Sequence, residues 1–554
     1  MKHLLQVLAV VTLLFAGYTA KAQMSYGGEP YSFKNTISQV VPTVEIEAVD
    51  AEALLAEDAA IPGKDHALRI GVTKDVNYSI ANSGRMDILP DGARVWRIAF
   101  HLKDATFTSM NFSKFNIPDG AELYLYTPDR EFVIGKFINK NLMEDGTFYP
   151  QEVPGEEVVV EYYEPANVAF QGELVINQLS QGYYDFFHIK EIEGGIGNAE
   201  GNCHPNAICY DATWHPQINS VACYTMTAGG YVYMCSGSMI NNTANNNKQY
   251  FLSANHCYTA NATYKFYFLY QANTCNGTFA STSKTATGAT VKAQDNANSS
   301  SDFMLLEITG GINTTYDVYL AGWDCSGTLP TNPTSCAAIH HPGGDMKKFS
   351  IPQTLRNGAM VYSNMSKYWI TTWAYETGTT EQGSSGSALF NKDKLIVGQL
   401  YAGSSSCVAT SEQGHEGPGG EDFYGKLSNS WTNGNNSNNA KKLKPWLDPN
   451  NTGATTLQGR WMNGAPSGLS AANTAANLNV YPNPTSGLVT ISGSFNEGEG
   501  VCNVYDMMGN FVTSKSLNLN AETTLNLSNL TPGMYLLEIS DNSNVYRSKI
   551  LISK

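Results

Sequence analysis

Three short stretches hold side chains that together could carry out covalent hydrolysis. EQGSSGSALF (381–390) sets two glycines and three serines before an apolar run. Such residues suit a bare surface loop. They also suit a tight turn that aims the Ser385 hydroxyl at a carbonyl, with the N–H groups of Gly383 and Ser385 turned towards its oxygen. FLSANHCYTA (251–260) brings His256 on an apolar strand beside a cysteine; a bonded core histidine, a metal ligand and a general base all fit that setting. SSDFMLLEI (300–308) puts Asp302 just ahead of a strongly apolar strand. There it can cap the strand. Because an unpaired buried carboxylate is costly, it can also hold an imidazole N–H and fix its tautomer. Nucleophile, base, orienting carboxylate and oxyanion donors are the parts of serine-type acyl transfer, which needs no cofactor and no metal.

The elements that must position these groups are strands. The 554 residues are 42% apolar but only 15% charged, and the length is too great for one core. Alternating runs bounded by turn residues, such as ARVWRIAFHL (93–102), AELYLYT (121–127) and EEVVVEYYE (156–164), predict a cysteine-free β-rich domain over 23–198. Nine of the ten cysteines fall from Cys203 to Cys407, marking a second domain over 199–453 whose short strands and Gly-rich turns predict an all-β barrel or sandwich. The Gly-rich phrase EGGIGNAEG (193–201) reads as the joint. A linker over 454–477 and a small β-sandwich over 478–554, holding Cys502 alone, complete the chain.

Residues 1–22 read as a secretory signal peptide: a lysine, an apolar run from Leu4 to Phe15, then Ala20-Lys21-Ala22. That run is too short for a comfortable membrane span and no later apolar run reaches 18 residues, so no transmembrane segment is expected. Export favours disulfides, and the C-x2-C spacing of zinc sites is absent even though His340-His341 and the cysteines raise the question. The net charge of −15 argues against nucleic acid as a partner.

The order His256, Asp302, Ser385 is that of chymotrypsin-like proteases. The domain is identified as similar to bacterial lysyl endopeptidases, a trypsin-fold serine protease family, on NHC, SDFMLLE and GSSGSALF, with CSGSMINNTAN (235–245), AGWD (321–324), AIHHP (338–342) and KPWLDPNNTGA (444–454). The resemblance implies a chymotrypsin-like double β-barrel. It implies peptide-bond hydrolysis after Lys, with Arg as a second option, by His256 as base, Asp302 as orienter and Ser385 as nucleophile. It also implies the pairs Cys203–Cys407, Cys209–Cys275 and Cys235–Cys257. Cys325 and Cys336 lie in an insertion and are expected to pair, leaving Cys223 over. The long Cys203–Cys407 loop is worth a few kcal/mol at most.

A pocket for a basic side chain needs a buried carboxylate. Glu381, Glu416, Glu421 and Asp422 are near the nucleophile, and Asp422 in GGEDFYGKLSNSW matches the family's specificity aspartate. Tyr401 stands where the family has a histidine, and the family's subsite Trp has no counterpart near Met360 and Tyr362. The first β domain, 23–198, precedes the protease and shows no active-site chemistry, so it reads most simply as a propeptide that assists folding and blocks premature activity. No Lys or Arg follows Lys190 in the joint, so a cut near 196–201 needs either cleavage at Lys190 with later trimming or another protease. The tail resembles type IX secretion sorting domains in YPNPT with Gly487, LTPGMYLLEIS and SKILISK. That implies export through the periplasm to the medium or cell surface, with the type IX machinery as partner; an adhesion module is the ordinary alternative for such a β unit. For the chain as a whole the competing reading is a silent adhesin or binding protein on a protease scaffold.

Overall fold

The computed structural model describes residues 28–185, 203–462 and 479–553, apart from 62, 144, 279, 359–364, 375–376, 410–415, 493–498, 507–510, 519–522 and 541–544. The expected signal peptide, the whole of the 193–201 joint, and residues 463–477 of the expected linker lie outside the described residues. The chain forms two compact units, Met1–Met462 and Asn463–Lys554.

In the N-terminal module the alternation seen in the sequence sets the faces. Along Arg94–Leu102, every second side chain (Trp96, Ile98, Phe100, Leu102) enters one core with Leu123, Leu125, Val158, Val160 and Tyr162. Five strands pair in the order Thr43–Ile46, Arg94–Leu102, Glu157–Glu164, Glu122–Tyr126, Val133–Phe137. Across the core lie Phe107–Asn116 and Glu173–Gly182, which supply Met110, Phe112, Phe115, Leu174, Ile176 and Leu179. Each buried aromatic or aliphatic side chain contributes roughly 1.5–3 kcal/mol, which is enough for the module to hold a core of its own.

Two closed barrels follow. The first runs Ala289–Asp295, Phe303–Ile308, Tyr250–Ala254, Tyr231–Met239, Val221–Ala228, Thr263–Phe268, Thr285–Thr287. Its two edge strands are joined by Gly288 alone, so the sheet closes on itself around Tyr224, Phe251, Phe266, Met304 and Leu306. The second runs Lys348–Ser350, Ala337–His340, Ala388–Phe390, Ile396–Gly403, Asp422–Lys426, Tyr368–Trp373, Pro352–Asn357. Ile351 joins its edges, and Ala338, Leu355, Trp369, Leu389 and Tyr424 fill it. A further core between the barrels holds Leu252, Leu305, Ile339, Phe349, Phe390 and Ile396. The all-β double-barrel expectation is met.

Two boundaries differ from expectation. Residues 454–462 are not linker: Thr456–Leu457 pairs with Trp323–Asp324, and Arg460–Trp461 with Tyr319–Leu320. Two-residue strands are too short to leave a periodic signal. Nor does the fold break at 198. The Tyr231–Met239 strand pairs with Tyr250–Ala254 only through Ser238 and Met239. Its other end, Tyr231 to Met234, pairs with the module's Leu68–Ser79 strand, Tyr231 opposite Val72 and Met234 opposite Leu68. Module and first barrel thus share one sheet.

In the second unit, strands Asn479–Tyr481, Leu488–Ser492 and Thr523–Asn526 form one sheet. Glu499–Asp506, Phe511–Asn518, Gly533–Ser540 and Val545–Ile552 form another. Val489, Ile491, Cys502, Val504, Leu537, Ile539 and Ile550 make their core.

Candidate active site

His256 sits in the Asn255–Cys257 turn at the end of the Tyr250–Ala254 strand. A disulfide from Cys257 to Cys235 ties that turn to the neighbouring strand. Asp302 lies opposite, one residue ahead of Phe303–Ile308, the strand paired with Tyr250–Ala254. Its Oδ2 accepts from His256 Nδ1 at 2.6 Å and its Oδ1 from the His256 amide at 3.0 Å. Asp302 holds φ +59, a left-handed backbone disfavoured for a non-glycine residue, and its carbonyl accepts from Asn255 N at 3.1 Å. Burial raises the Asp302 carboxyl above the ordinary aspartate range, and the facing imidazole partly offsets this. This geometry fixes the imidazole with Nδ1–H towards the carboxylate and leaves Nε2 without a hydrogen-bond partner among the described residues.

Ser385 lies in the turn that feeds Ala388–Phe390 into the second barrel. Gly383 and Gly386 hold φ +86 and +83, and each lacks room for a Cβ: one would stand 2.8 Å from the His341 carbonyl oxygen at Gly383 and 2.1 Å from Ser253 Oγ at Gly386. Only glycine allows this turn. Ser384 Oγ bonds His340 Nδ1 at 2.8 Å, and the Ser385 carbonyl accepts from Ser236 N at 2.9 Å, so the turn is pinned from both barrels. Ser385 Oγ does not meet His256 Nε2. It donates instead, at 3.1 Å, to the carbonyl of Lys64 from the N-terminal module. Ser385 is fully buried.

Of the carboxylates weighed whose side chains are described, Asp422 is the one that is fully buried. Glu421 pairs with Arg356 at the surface, Glu381 faces His204 at 3.5 Å, and the Glu416 side chain lies outside the described residues. Asp422 has no exposed surface. Its Oδ2 accepts from Trp373 Nε1 at 2.7 Å, Thr380 Oγ1 at 2.6 Å and Ser405 Oγ at 2.5 Å. Its Oδ1 faces the Lys64 ammonium at 3.3 Å. Lys64 Nζ also reaches Ser405 Oγ at 2.8 Å, Thr380 Oγ1 at 3.1 Å and the Thr380 carbonyl. Burial pulls the Lys64 ammonium below the usual lysine range, and Asp422 opposes that. Lys64, Trp373, Thr380 and Ser405 were not singled out in the sequence. A serine, a threonine and a tryptophan near a buried carboxylate carry no periodic signature; the Asp422 match was the only available pointer.

Tyr401, at the position of the family's histidine, lies edge-on to the His256 ring at 6.2 Å and stacks on Tyr368 at 5.1 Å. His341 is not at the reacting groups: its Nδ1 bonds the Asp345 carbonyl and its ring stacks on Tyr270. Met360 and Tyr362 lie outside the described residues.

Cys203 is bonded to Cys407 and Cys235 to Cys257. Cys209 and Cys275 are neighbours but remain thiols, contrary to the expected pair. Cys325 and Cys336 are also unpaired, against expectation; Cys325 Sγ lies 4.0 Å from the Ala454 carbonyl oxygen and Cys336 Sγ 3.8 Å from the Asn332 carbonyl oxygen. Cys223 is a buried thiol. Cys203, His204 and Cys407 gather closely, but the two sulfurs are bonded to each other and have no thiolate to offer an ion.

Residues 197–425 match the protein-family model described as Lysyl endopeptidase, C-terminal domain, a span that includes His256, Asp302, Ser385 and Asp422. Residues 479–553 match the model described as Secretion system C-terminal sorting domain. The chain is 27% identical over 318 residues to the lysyl endopeptidase of Pseudomonas aeruginosa, across 54% of this chain and 65% of that protein, a little under two thirds of its length. Among solved structures it is similar to a serine endoprotease from Yersinia pestis (13% identity, 62% of this chain and 96% of that one, TM-score 0.26). It is also similar to the protease Anisep from Arthrobacter nicotinovorans (14% identity, 38% and 90%, TM-score 0.26). The chain thus carries a lysyl endopeptidase C-terminal domain over residues 197–425 and, over 479–553, a secretion-system sorting domain that marks it for release or the cell surface.

Proposed function

We propose that the chain is an exported serine endopeptidase that hydrolyses peptide bonds after lysine, with His256, Asp302 and Ser385 as its triad. The observation that supports this best is Lys64. A lysine side chain ends on Asp422 while its own carbonyl oxygen lies on Ser385 Oγ. That is the placement required of the residue on the acyl side of a scissile bond. A point-charge ammonium on a long stem suits a single carboxylate flanked by hydroxyls, whereas a guanidinium fork wants two parallel acceptors.

In the reaction, Ser385 Oγ attacks the substrate carbonyl carbon as His256 Nε2 takes its proton. Asp302 holds the imidazole and stabilises the imidazolium that forms. The N–H groups of Gly383 and Ser385 stabilise the developing oxyanion. The imidazolium then protonates the leaving amine, and water, activated by the same Nε2, hydrolyses the acyl-enzyme. Residues 23–198 act as the propeptide, the barrels through Met462 as the peptidase, and residues 478–554 as the address read by a type IX export machinery.

A peptide-library digest by the processed chain tests the specificity. Cuts predominantly after Lys are expected, with Arg a minor site; a majority of cuts elsewhere removes Asp422 from its role. Labelling of Ser385 by a fluorophosphonate tests the chemistry, and a folded, processed chain that takes no label is a silent scaffold.

A further inference from the structure

The loop around Lys64 joins two anchored elements. Before it, the Ala51–Ala60 helix is capped by Asp50, whose side chain accepts from Ala53 N at 3.0 Å. After it comes the Leu68–Ser79 strand, paired into the first barrel. Arg69 ties the two together: its Nε meets Asp58 at 2.8 Å, its Nη2 meets Glu57 at 3.0 Å and the Leu54 carbonyl at 3.2 Å. Tyr183 OH closes the bracket on Asp58 at 2.5 Å. Beyond Lys64, Asp65 is exposed, and the His66 ring accepts from Gln382 Nε2 at 2.6 Å, within the nucleophile turn. The loop therefore crosses the site as a substrate would, held on both sides of one peptide bond.

We propose that Lys64 is the specificity residue of a built-in substrate-like inhibitor, and that the Lys64–Asp65 bond is an internal cleavage site presented to Ser385; the proposal rests on the peptidase reading above. Two features make the docked loop an inhibitor rather than a quickly consumed substrate. The Ser385 hydroxyl donates to the Lys64 carbonyl, so its proton is not directed at His256 Nε2. The helix and the strand also hold both ends after a cut, which keeps the new amine next to the acyl group and favours resealing. When cleavage does run to completion, Ser385 Oγ bonds the Lys64 carbonyl carbon, the bond to the Asp65 nitrogen breaks, and His256 returns the proton to that nitrogen. Water then releases the ester, leaving a carboxylate at Lys64 and a free amine at Asp65. A cut in the 193–201 joint alone does not free the site, because the Leu68–Ser79 strand stays paired to Tyr231–Met234.

The test uses the full chain. Fluorophosphonate labelling is timed for the wild type, Lys64→Glu, Lys64→Met and Lys64→Arg, with folding checked by thermal unfolding, beside wild type stripped of its N-terminal module by limited proteolysis. Lys64→Glu and Lys64→Met are expected to label about ten to a hundred times faster than wild type, and Lys64→Arg within a few-fold of it. Mass spectrometry of aged wild type should find a fragment beginning at Asp65. If the stripped chain labels readily while Lys64→Glu and Lys64→Met label as slowly as wild type, the inhibitor proposal is overturned. If no fragment begins at Asp65 in a chain whose stripped form is active, the cleavage site is overturned. If the stripped chain is itself inert, the peptidase reading fails instead.

Discussion

Glu152 of the N-terminal module and Lys265 of the first barrel meet at 3.1 Å with neither side chain reaching solvent. Ser109 accepts from the Lys265 ammonium at 2.7 Å, while Thr225 at 3.0 Å and the Tyr267 hydroxyl donate to the Glu152 carboxylate. Around them Leu68, Ile70 and Phe107 of the module pack on Val232, Met234 and Tyr267 of the barrel. The interface is a core with a charge pair inside it, and such a pair is costly to break from one side.

Glu152→Ala should therefore loosen the module. An uncompensated buried ammonium costs about 3–5 kcal/mol. A lower Tm for the full chain and faster release of the module after a cut in the joint are expected, measured by calorimetry and size-exclusion chromatography. Glu152→Ala combined with Lys265→Met should recover much of the loss.

Ser385→Ala in the processed chain should reduce kcat by at least about 10^4 and leave a small residue from the oxyanion donors and binding. Turnover of a lysyl peptide with a chromogenic leaving group measures it. KM should move little, since Asp422 and its hydroxyl partners are untouched.

Asp422→Asn should lower kcat/KM for lysyl substrates by about ten- to a hundredfold or more, the scale of a lost charged contact of roughly 1.5–3 kcal/mol. Substrates with an uncharged methionine in place of lysine should lose far less. The ratio of the two, from initial rates, is the measurement. An equal fall for both would mean that the substitution has disturbed the pocket wall, where Trp373 and Thr380 lean on the same carboxylate.

Asp302→Asn should separate activity from stability. The folded carboxyl is raised by burial. A group raised on folding contributes stability below its unfolded value, and that contribution is lost as pH rises through the folded value. Above the raised carboxyl range the wild type has lost it, while the neutral amide has not. The variant's Tm relative to wild type should thus be highest above that range and shrink as pH falls through it. Its kcat/KM at pH 7 should meanwhile fall by about 10^4, because the imidazole loses the acceptor that sets its tautomer.

His256, Asp302 and Ser385 could be picked out because each lies beside a short apolar strand, but each phrase alone allowed an ordinary reading, and their order and the family phrases joined them; Asp422 came from the resemblance alone. Both barrels were legible as short strands with Gly-rich turns. Lys64 was not. Nothing in IPGKDH distinguishes its lysine from a solvated one, and its position depends on Leu68–Ser79 finding Tyr231–Met239, a pairing more than 150 residues apart in the chain. Glu152 and Lys265 were hidden for the same reason. The Cys325–Cys336 pair, expected because both lie in an insertion, is not formed, and sharing an insertion does not fix how far apart two sulfurs stand.

The strand ladder between the module and the first barrel has a further consequence for the mature form. Once Leu68–Ser79 departs, the backbone from Tyr231 to Met234 becomes an unclaimed rim of donors and acceptors. A vacated rim of this kind can be zipped by any extended polypeptide, whether a passing substrate or a sister molecule. On the module release proposed above, unmasking the Ser385 hydroxyl and baring this flank become one event.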